Sequence, residues 1–348
     1  MKIIVDAMGG DHAPQATVRG ALDAHRSLGV EILLVGRSAD ILKEVENCGE
    51  TTLPAGVEIR NATEVVEISD DAAFAFKEKK NSSLTVGLTL LRDGLGDAFV
   101  SAGSTGALLS GATLVTKRIR GIRRAAMAPQ IPCLGGHVLL CDCGANAECT
   151  PEYLIQFAYL GSFYARNVMK LENPRVGLLN IGAEKEKGDA MRREVYAALT
   201  QADAEGRIRF IGNVEASAAM QGGADVVVSD GFSGNVMLKS VEGAGKFLSS
   251  SLKELFLSRT RTKLAALLIQ KEFAAFRDLL DPNSVGGTPF LGISKPVIKA
   301  HGGSDARGIR NAIRQAQEFA ASGFIADVEQ NIEYMRLSDP AGNPAEKA

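Results

Sequence analysis

The sequence predicts an α/β protein, a three-layer α/β/α sandwich around a mostly parallel sheet, with a protruding amphipathic helical hairpin. Three observations predict it. Short runs rich in Val, Ile and Leu alternate with helix-length segments along most of the chain, as strands covered on both faces do. Several runs end in glycine-rich turns that lead straight into a helical pattern, the form of a parallel strand–helix unit. A long helical stretch, 233–281, then breaks this rhythm.

Taken in order, strands are expected at 2–6, 31–35, 57–61, 98–101, 138–142, 175–180, 207–211 and 224–229. Helices are expected at 14–28, 107–115, 151–169 and 189–199. Pro14 suits a first helical position, where its missing N–H costs nothing. Ser304 is expected to cap a helix over 306–319. In the 233–281 stretch, Phe247, Leu248, Leu252, Leu255 and Phe256 recur at helical spacing, as do Leu264, Leu267, Leu268, Phe276 and Leu279. The basic Ser/Thr-rich segment SRTRTK (258–263) parts them. Two helices joined by a hinge are expected, with 244–281 forming the hairpin within a single domain, 1–348. Amphipathic faces of this kind pack on a core or a subunit partner, or rest on a membrane surface.

Composition narrows the function. Lys and Arg number 39 against 41 Asp and Glu, and aromatic residues make up 5% with no Trp. Neither a basic field nor base-stacking platforms for nucleic acid are evident. Five cysteines in 348 residues do not make a disulfide framework. Asp6 interrupts the first apolar run too early for a secretory signal, and the apolar stretches fall short of the ~18 residues of a membrane span. A cytoplasmic protein is expected.

Most generic motifs are missing. No GxGxxG, GxxxxGK[ST] or GxSxG occurs, so dinucleotide, P-loop and nucleophile-elbow chemistry lack support. His301, Ser304 and Asp305 stand too close in sequence to face one another as a triad. Cys133, Cys141, Cys143 and Cys149 match no zinc spacing. What remains is a set of glycine-rich strand ends: DAMGGDHAP (6–14), SAGSTG (101–106), DCGAN (142–146), NIGAEKEKG (180–188) and DGFSGN (230–235). Free backbone N–H groups at such turns suit anions, and ligands of open α/β sheets bind where strands end.

These blocks, the second within VSAGSTGAL (100–108) and the last within SDGFSGNVMLKSVEG (229–243), with QFAYLGS (156–162) and GGTPFLGI…HGGSDA (286–306), resemble the bacterial phosphate acyltransferase family of PlsX type along almost the whole chain. Ser104, where the family usually has Asn, and Ala125, where Pro often follows the Arg, are departures. The resemblance implies a sandwich like that of isocitrate and isopropylmalate dehydrogenases. It implies transfer of a fatty acyl group from acyl carrier protein to inorganic phosphate, giving acyl phosphate for phosphatidic acid synthesis. Phosphate attacks the thioester directly, so neither an enzyme nucleophile nor a cofactor or metal is required. By carry-over, Lys187 binds phosphate or the developing negative charge, and Asn235 donates to the oxyanion. Asp6, Gly9, Gly10, His12, Ser101, Gly103, Thr105, Gly106, Asn146, Ser233 and Gly234 are expected to line the phosphate or pantetheine pocket. His12 either shuttles a proton or holds its turn.

The densest basic run, Lys117, Arg118, Arg120, Arg123 and Arg124, is a candidate docking patch for the acidic carrier protein. The family reading also favours a homodimer whose tip touches the inner face of the cell membrane through Arg259, Arg261, Lys263, Leu264, Leu267 and Leu268. There it would hand product to a membrane glycerol-phosphate acyltransferase. Three alternatives stand beside this reading. One is an acyltransferase using acyl-coenzyme A. Another is a metal-dependent hydroxy-acid dehydrogenase, which needs clustered carboxylates that the strand ends lack. The third is a lipid-binding scaffold, which would not need the glycine-rich strand ends.

Overall fold

The computed structural model describes residues 1–67 and 69–335; the last part of the expected 1–348 domain, 336–348, lies outside the described residues. The strands among them are β1 (Lys2–Asp6), β2 (Glu31–Gly36), β3 (Val57–Asn61), β4 (Ala98–Ser101), β5 (Ala126–Met127), β6 (Gln130–Cys133), β7 (Gly136–Cys141), β8 (Arg175–Leu179), β9 (Arg209–Val214), β10 (Val226–Val228), β11 (Gly287–Leu291) and β12 (Val297–Ala300). They form two sheets, not one. A seven-stranded sheet runs β3-β2-β1-β4-β12-β11-β5, and a five-stranded sheet runs β6-β7-β10-β8-β9.

Both sheets are mostly parallel. β3, β2, β1, β4 and β12 run in one direction, with β11 and β5 antiparallel at one edge. In the second sheet β7, β10, β8 and β9 are parallel and β6 is antiparallel. The inner parallel strands β1, β4 and β10, and β2 beside them, are buried almost throughout, as strands covered on both faces are, whereas the edge strands β3 and β9 are more open. The largest apolar cluster takes residues from both sheets, among them Val5, Ile298, Leu139 and Val226, with helix Pro151–Asn167. That helix is buried on nearly every side. Its Gln156 accepts a hydrogen bond from Arg123 N at 2.8 Å and donates to Gly121 O at 3.0 Å, satisfying a polar group the core would otherwise penalise.

Two local expectations change. Asp305, not Ser304, caps helix Ala306–Ala321, its carboxylate accepting from Gly308 N at 2.8 Å. The Ser304 hydroxyl is buried without a hydrogen-bond partner among the described residues. The 233–281 stretch forms three helices, Gly231–Leu257, Thr260–Leu268 and Gln270–Leu280. The hinge shrinks to Ser258 and Arg259, because Thr262 Oγ1 accepts from Arg259 N at 3.1 Å and starts the next helix at once. Phe256 meets Phe273 edge to face, 5.6 Å between centroids, and so ties the outgoing helix to the returning one. Among the described residues no helix is long and apolar enough to cross a membrane.

Candidate active site

The C-terminal ends of β1, β4 and β12 are neighbours in one sheet, and those of β7, β10 and β8 are neighbours in the other. Residues from the two sets of ends line a common cavity of about 370 Å³. Thr105, Lys299, His301 and Gly302 come from the first set, Cys143, Gly144 and Asn235 from the second. Its apolar wall takes Leu238 and Val241 from helix Gly231–Leu257 and Leu279 and Val285 from the returning arm of the hairpin.

A knot of polar contacts holds the first set. Asp6, 2% exposed, accepts hydrogen bonds from Met8 N at 3.1 Å and Ser101 Oγ at 2.7 Å. Gly103 N donates to the same serine oxygen at 3.1 Å. Burial pushes the Asp6 carboxyl up, against donors from Ser83, Ser101, Met8 and Gly9 that pull it down. A Cβ on Gly9 would stand 2.5 Å from Asp6 Oδ2 and 2.7 Å from Gly103 N, so only glycine fits there. Gly10 takes φ +106° against Ala102, and Asp11 N donates to Gly302 O at 2.9 Å. Asp6, Gly9, Gly10, Ser101 and Gly103 therefore build the turns around the cavity, and none of them lines it. Thr105 does line it, Gly106 faces Ala72, and His12 is exposed on the turn beyond Asp11.

Two residues outside the set expected to line the pocket stand in the cavity: Lys299, and His301, which the sequence offered only as a triad member. Lys299 is 7% exposed. Its Nζ donates to Ala102 O at 3.2 Å and to Ala300 O. Burial lowers this lysine to about 8, with Asp6 and Asp11 pulling the other way. His301 Nδ1 accepts from Gly303 N at 3.1 Å. A backbone N–H can only donate, so the neutral ring carries its proton on Nε2. Burial, helped by Lys299, Lys239 and Lys246 and opposed by Glu242, lowers His301 and favours that neutral form. The signal for both was a lysine inside an apolar run directly before His-Gly-Gly, in a segment weighed only as a triad and a helix cap.

The second set is held by Asp142, which accepts from Met127 N at 2.8 Å, Cys143 N at 2.6 Å and Asn146 N at 2.7 Å. Asn146 spends its side-chain amide on Ala125 O and Asp142 and does not line the cavity. A Cβ on Gly234 would fall 2.0 Å from Asp142 O, so this glycine lets the helix approach β7. Ser233 donates to Asp230, which also caps the helix and pairs with Arg192. One turn along, Asn235 is exposed beside Gly144, and its amide has no intramolecular partner among the described residues. Lys187 stands exposed on the loop after β8 and is not among the residues that line the cavity. Asn180 holds that loop by donating to Lys187 O at 3.1 Å.

The basic run is exposed but partly engaged. Arg123 pairs with Glu152 at 3.1 Å, Arg118 donates to Arg123 O, and Arg124 lies over the Tyr153 ring at 5.9 Å. Lys117 and Arg120 have no ion-pair partner among the described residues. On the hairpin, helix Thr260–Leu268 buries no residue, and Leu264, Leu267 and Leu268 are exposed beside Arg259, Arg261 and Lys263. Among the described residues no three His, Cys, Asp or Glu side chains converge as metal ligands.

Comparison with known proteins agrees along the chain. A family model described as "Fatty acid synthesis protein" matches residues 1–327. A phosphate acyltransferase of Clostridioides difficile is 40% identical over 333 residues, 95% of this chain and 96% of the relative. One of Oceanobacillus iheyensis is 44% identical over 336 residues, covering 95% and 98%. A crystal structure of a phosphotransacetylase from Streptococcus pyogenes superposes with a TM-score of 0.64 at 17% identity, over 92% of this chain and 94% of that one, a likeness of fold. With relatives this similar over nearly their full length, the chain belongs to the phosphate acyltransferase family of PlsX type.

Proposed function

We propose that the protein transfers a fatty acyl group from acyl carrier protein to inorganic phosphate, making acyl phosphate for phosphatidic acid synthesis. The observation that carries this reading is the cavity itself. Polar strand ends meet an apolar wall there, with room for a phosphate, a thioester and the start of an acyl chain. A phosphate oxygen attacks the thioester carbonyl, the C–S bond breaks, and the thiolate leaves to take a proton. Cys143 is the cysteine among the lining residues, and burial pushes its thiol up to about 12. Such a thiol offers almost no thiolate at neutral pH, which supports direct attack over a covalent acyl-enzyme.

Asn235, with its amide unengaged, donates to the oxyanion. Lys187, exposed on the loop after β8 and outside the cavity lining, is the family's carry-over for the positive charge that meets the developing anion. The run 117–124 receives the acidic carrier protein, and the exposed leucines and basic groups of the hairpin rest a homodimer on the membrane. The test mixes the protein, palmitoyl-acyl carrier protein and inorganic phosphate, with hydroxylamine to trap acyl phosphate. Product that needs phosphate and prefers the carrier protein is the expected result. Preference for palmitoyl-coenzyme A would replace the donor, and no product with either would overturn the reading.

A further inference from the structure

The ionisable side chains of acid, lysine and histidine type lining the cavity are Lys239, Glu242, Asp281, Lys299 and His301. Lys239 is paired with Glu242 at 2.9 Å, and His301 is held in its neutral form. Lys299 differs from both. It is buried, and its ammonium donates to two main-chain carbonyls, Ala102 O and Ala300 O, which carry no net charge. Among the described residues no carboxylate lies within ion-pair distance of it. Asp6 and Asp11 act on it only at longer range, and Asp6 accepts instead from Ser101 and Met8. A buried cation without a counter-ion is costly, and this one faces a cavity that, on the proposed function, must receive a dianion.

We propose that the Lys299 ammonium seats the inorganic phosphate, with the Nε2–H of His301 and the hydroxyl of Thr105 as neutral donors in the same cavity. This inference rests on the proposed function and adds to it the group that binds the attacking substrate. Ion pairing with phosphate completes a site that is otherwise one counter-ion short. Asp6, held by Ser101, does not line the cavity. The lowered lysine gives the proposal a pH signature, since phosphate binds well only while Lys299 is protonated. The other charged groups around it are Asp6 and Asp11 from the turn after β1, His301 beside it, Lys239, Glu242 and Lys246 on helix Gly231–Leu257, and Asp281 on the returning arm.

The experiment measures the KM for phosphate and kcat from about pH 7.5 to 10, in wild type, Lys299→Gln and Lys299→Arg. In the upper part of this range phosphate is already the dianion, so the dependence there reports the protein. Wild type is expected to show KM rising toward tenfold per pH unit above about pH 8, with kcat at saturating phosphate nearly flat. Lys299→Gln raises KM at pH 7.5 at least tenfold and loses the rise. Lys299→Arg binds better than the Gln variant and also loses the rise, because guanidinium stays charged. A flat wild-type KM, or a Gln variant with the wild-type value, overturns the proposal. Equilibrium dialysis with labelled inorganic phosphate needs no turnover and separates the two readings. Wild type that binds phosphate at least tenfold more tightly than Lys299→Gln supports the site even if no acyl phosphate is made. Equal binding, or none, overturns it even if acyl transfer is observed.

Discussion

The Ser101 hydroxyl donates to the buried Asp6 carboxylate across 2.7 Å and so ties the end of β4 to the end of β1. The same oxygen accepts from Gly103 N, so one side chain sets two turns. Ser101→Ala leaves Asp6 Oδ2 without that donor, in a place where burial already disfavours its charge. The expected loss is about 1–3 kcal/mol of stability, read by urea unfolding. An unchanged midpoint would mean that the two turns do not depend on this contact.

Glycines along the chain differ in what they do. Gly9→Ala puts a Cβ against Asp6 Oδ2 and Gly103 N and should cost about 1–3 kcal/mol, with loss of activity. Gly243→Ala, in helix Gly231–Leu257 with nothing within 4 Å of the new carbon, should add about 0.5–1 kcal/mol. Thermal melts of both variants check the contrast.

Asn235→Ala removes an amide that makes no hydrogen bond among the described residues, so stability should hardly move. If it donates to the oxyanion, kcat falls about 100-fold or more while KM for the acyl donor changes little. Lys187→Ala should lower turnover with stability preserved, since its side chain is exposed. Turnover unchanged in either variant removes that residue from the chemistry.

Lys299 also predicts how stability depends on pH in phosphate-free buffer. Its pKa in the folded protein is about 8, against an ordinary 10.5. Between those values the folded state has released a proton that the unfolded chain keeps, so this group's contribution to stability rises with pH. Below about pH 8 the burial penalty is present in full. Lys299→Met should lack the rise, which is on the order of 2–3 kcal/mol. Urea unfolding at pH 7 and pH 10 measures the difference, and parallel curves for the two proteins would count against a charged, buried lysine at neutral pH.

The exposed hairpin makes a separate prediction. Reversing the charges of Arg259, Arg261 and Lys263 should abolish co-sedimentation with anionic vesicles, as an interfacial helix with a basic flank requires. Raised salt should increase KM for the carrier protein through the 117–124 run, because exposed pairs are screened. Vesicle binding that survives the reversal would place the contact elsewhere.

Local sequence determined β1 and β4 at the residues the apolar runs predict, and the parallel α/β class with them. A strand covered on both faces must be apolar along its length, and that requirement is written residue by residue. It did not reveal β6 and β11, which carry Pro132 and Pro289 and sit in antiparallel pairs, nor the division into two sheets. The glycine-rich strand ends were legible as turns, yet their roles were not. Asn146 and Ser233 turned inward to hold backbone and cap, because Ala125 O and Asp230 lay within reach. Lys299 and His301 entered the cavity because β12 pairs beside β4. Which side chains share a cavity depends on the pairing of strands far apart in the chain, and only the tertiary structure decides that.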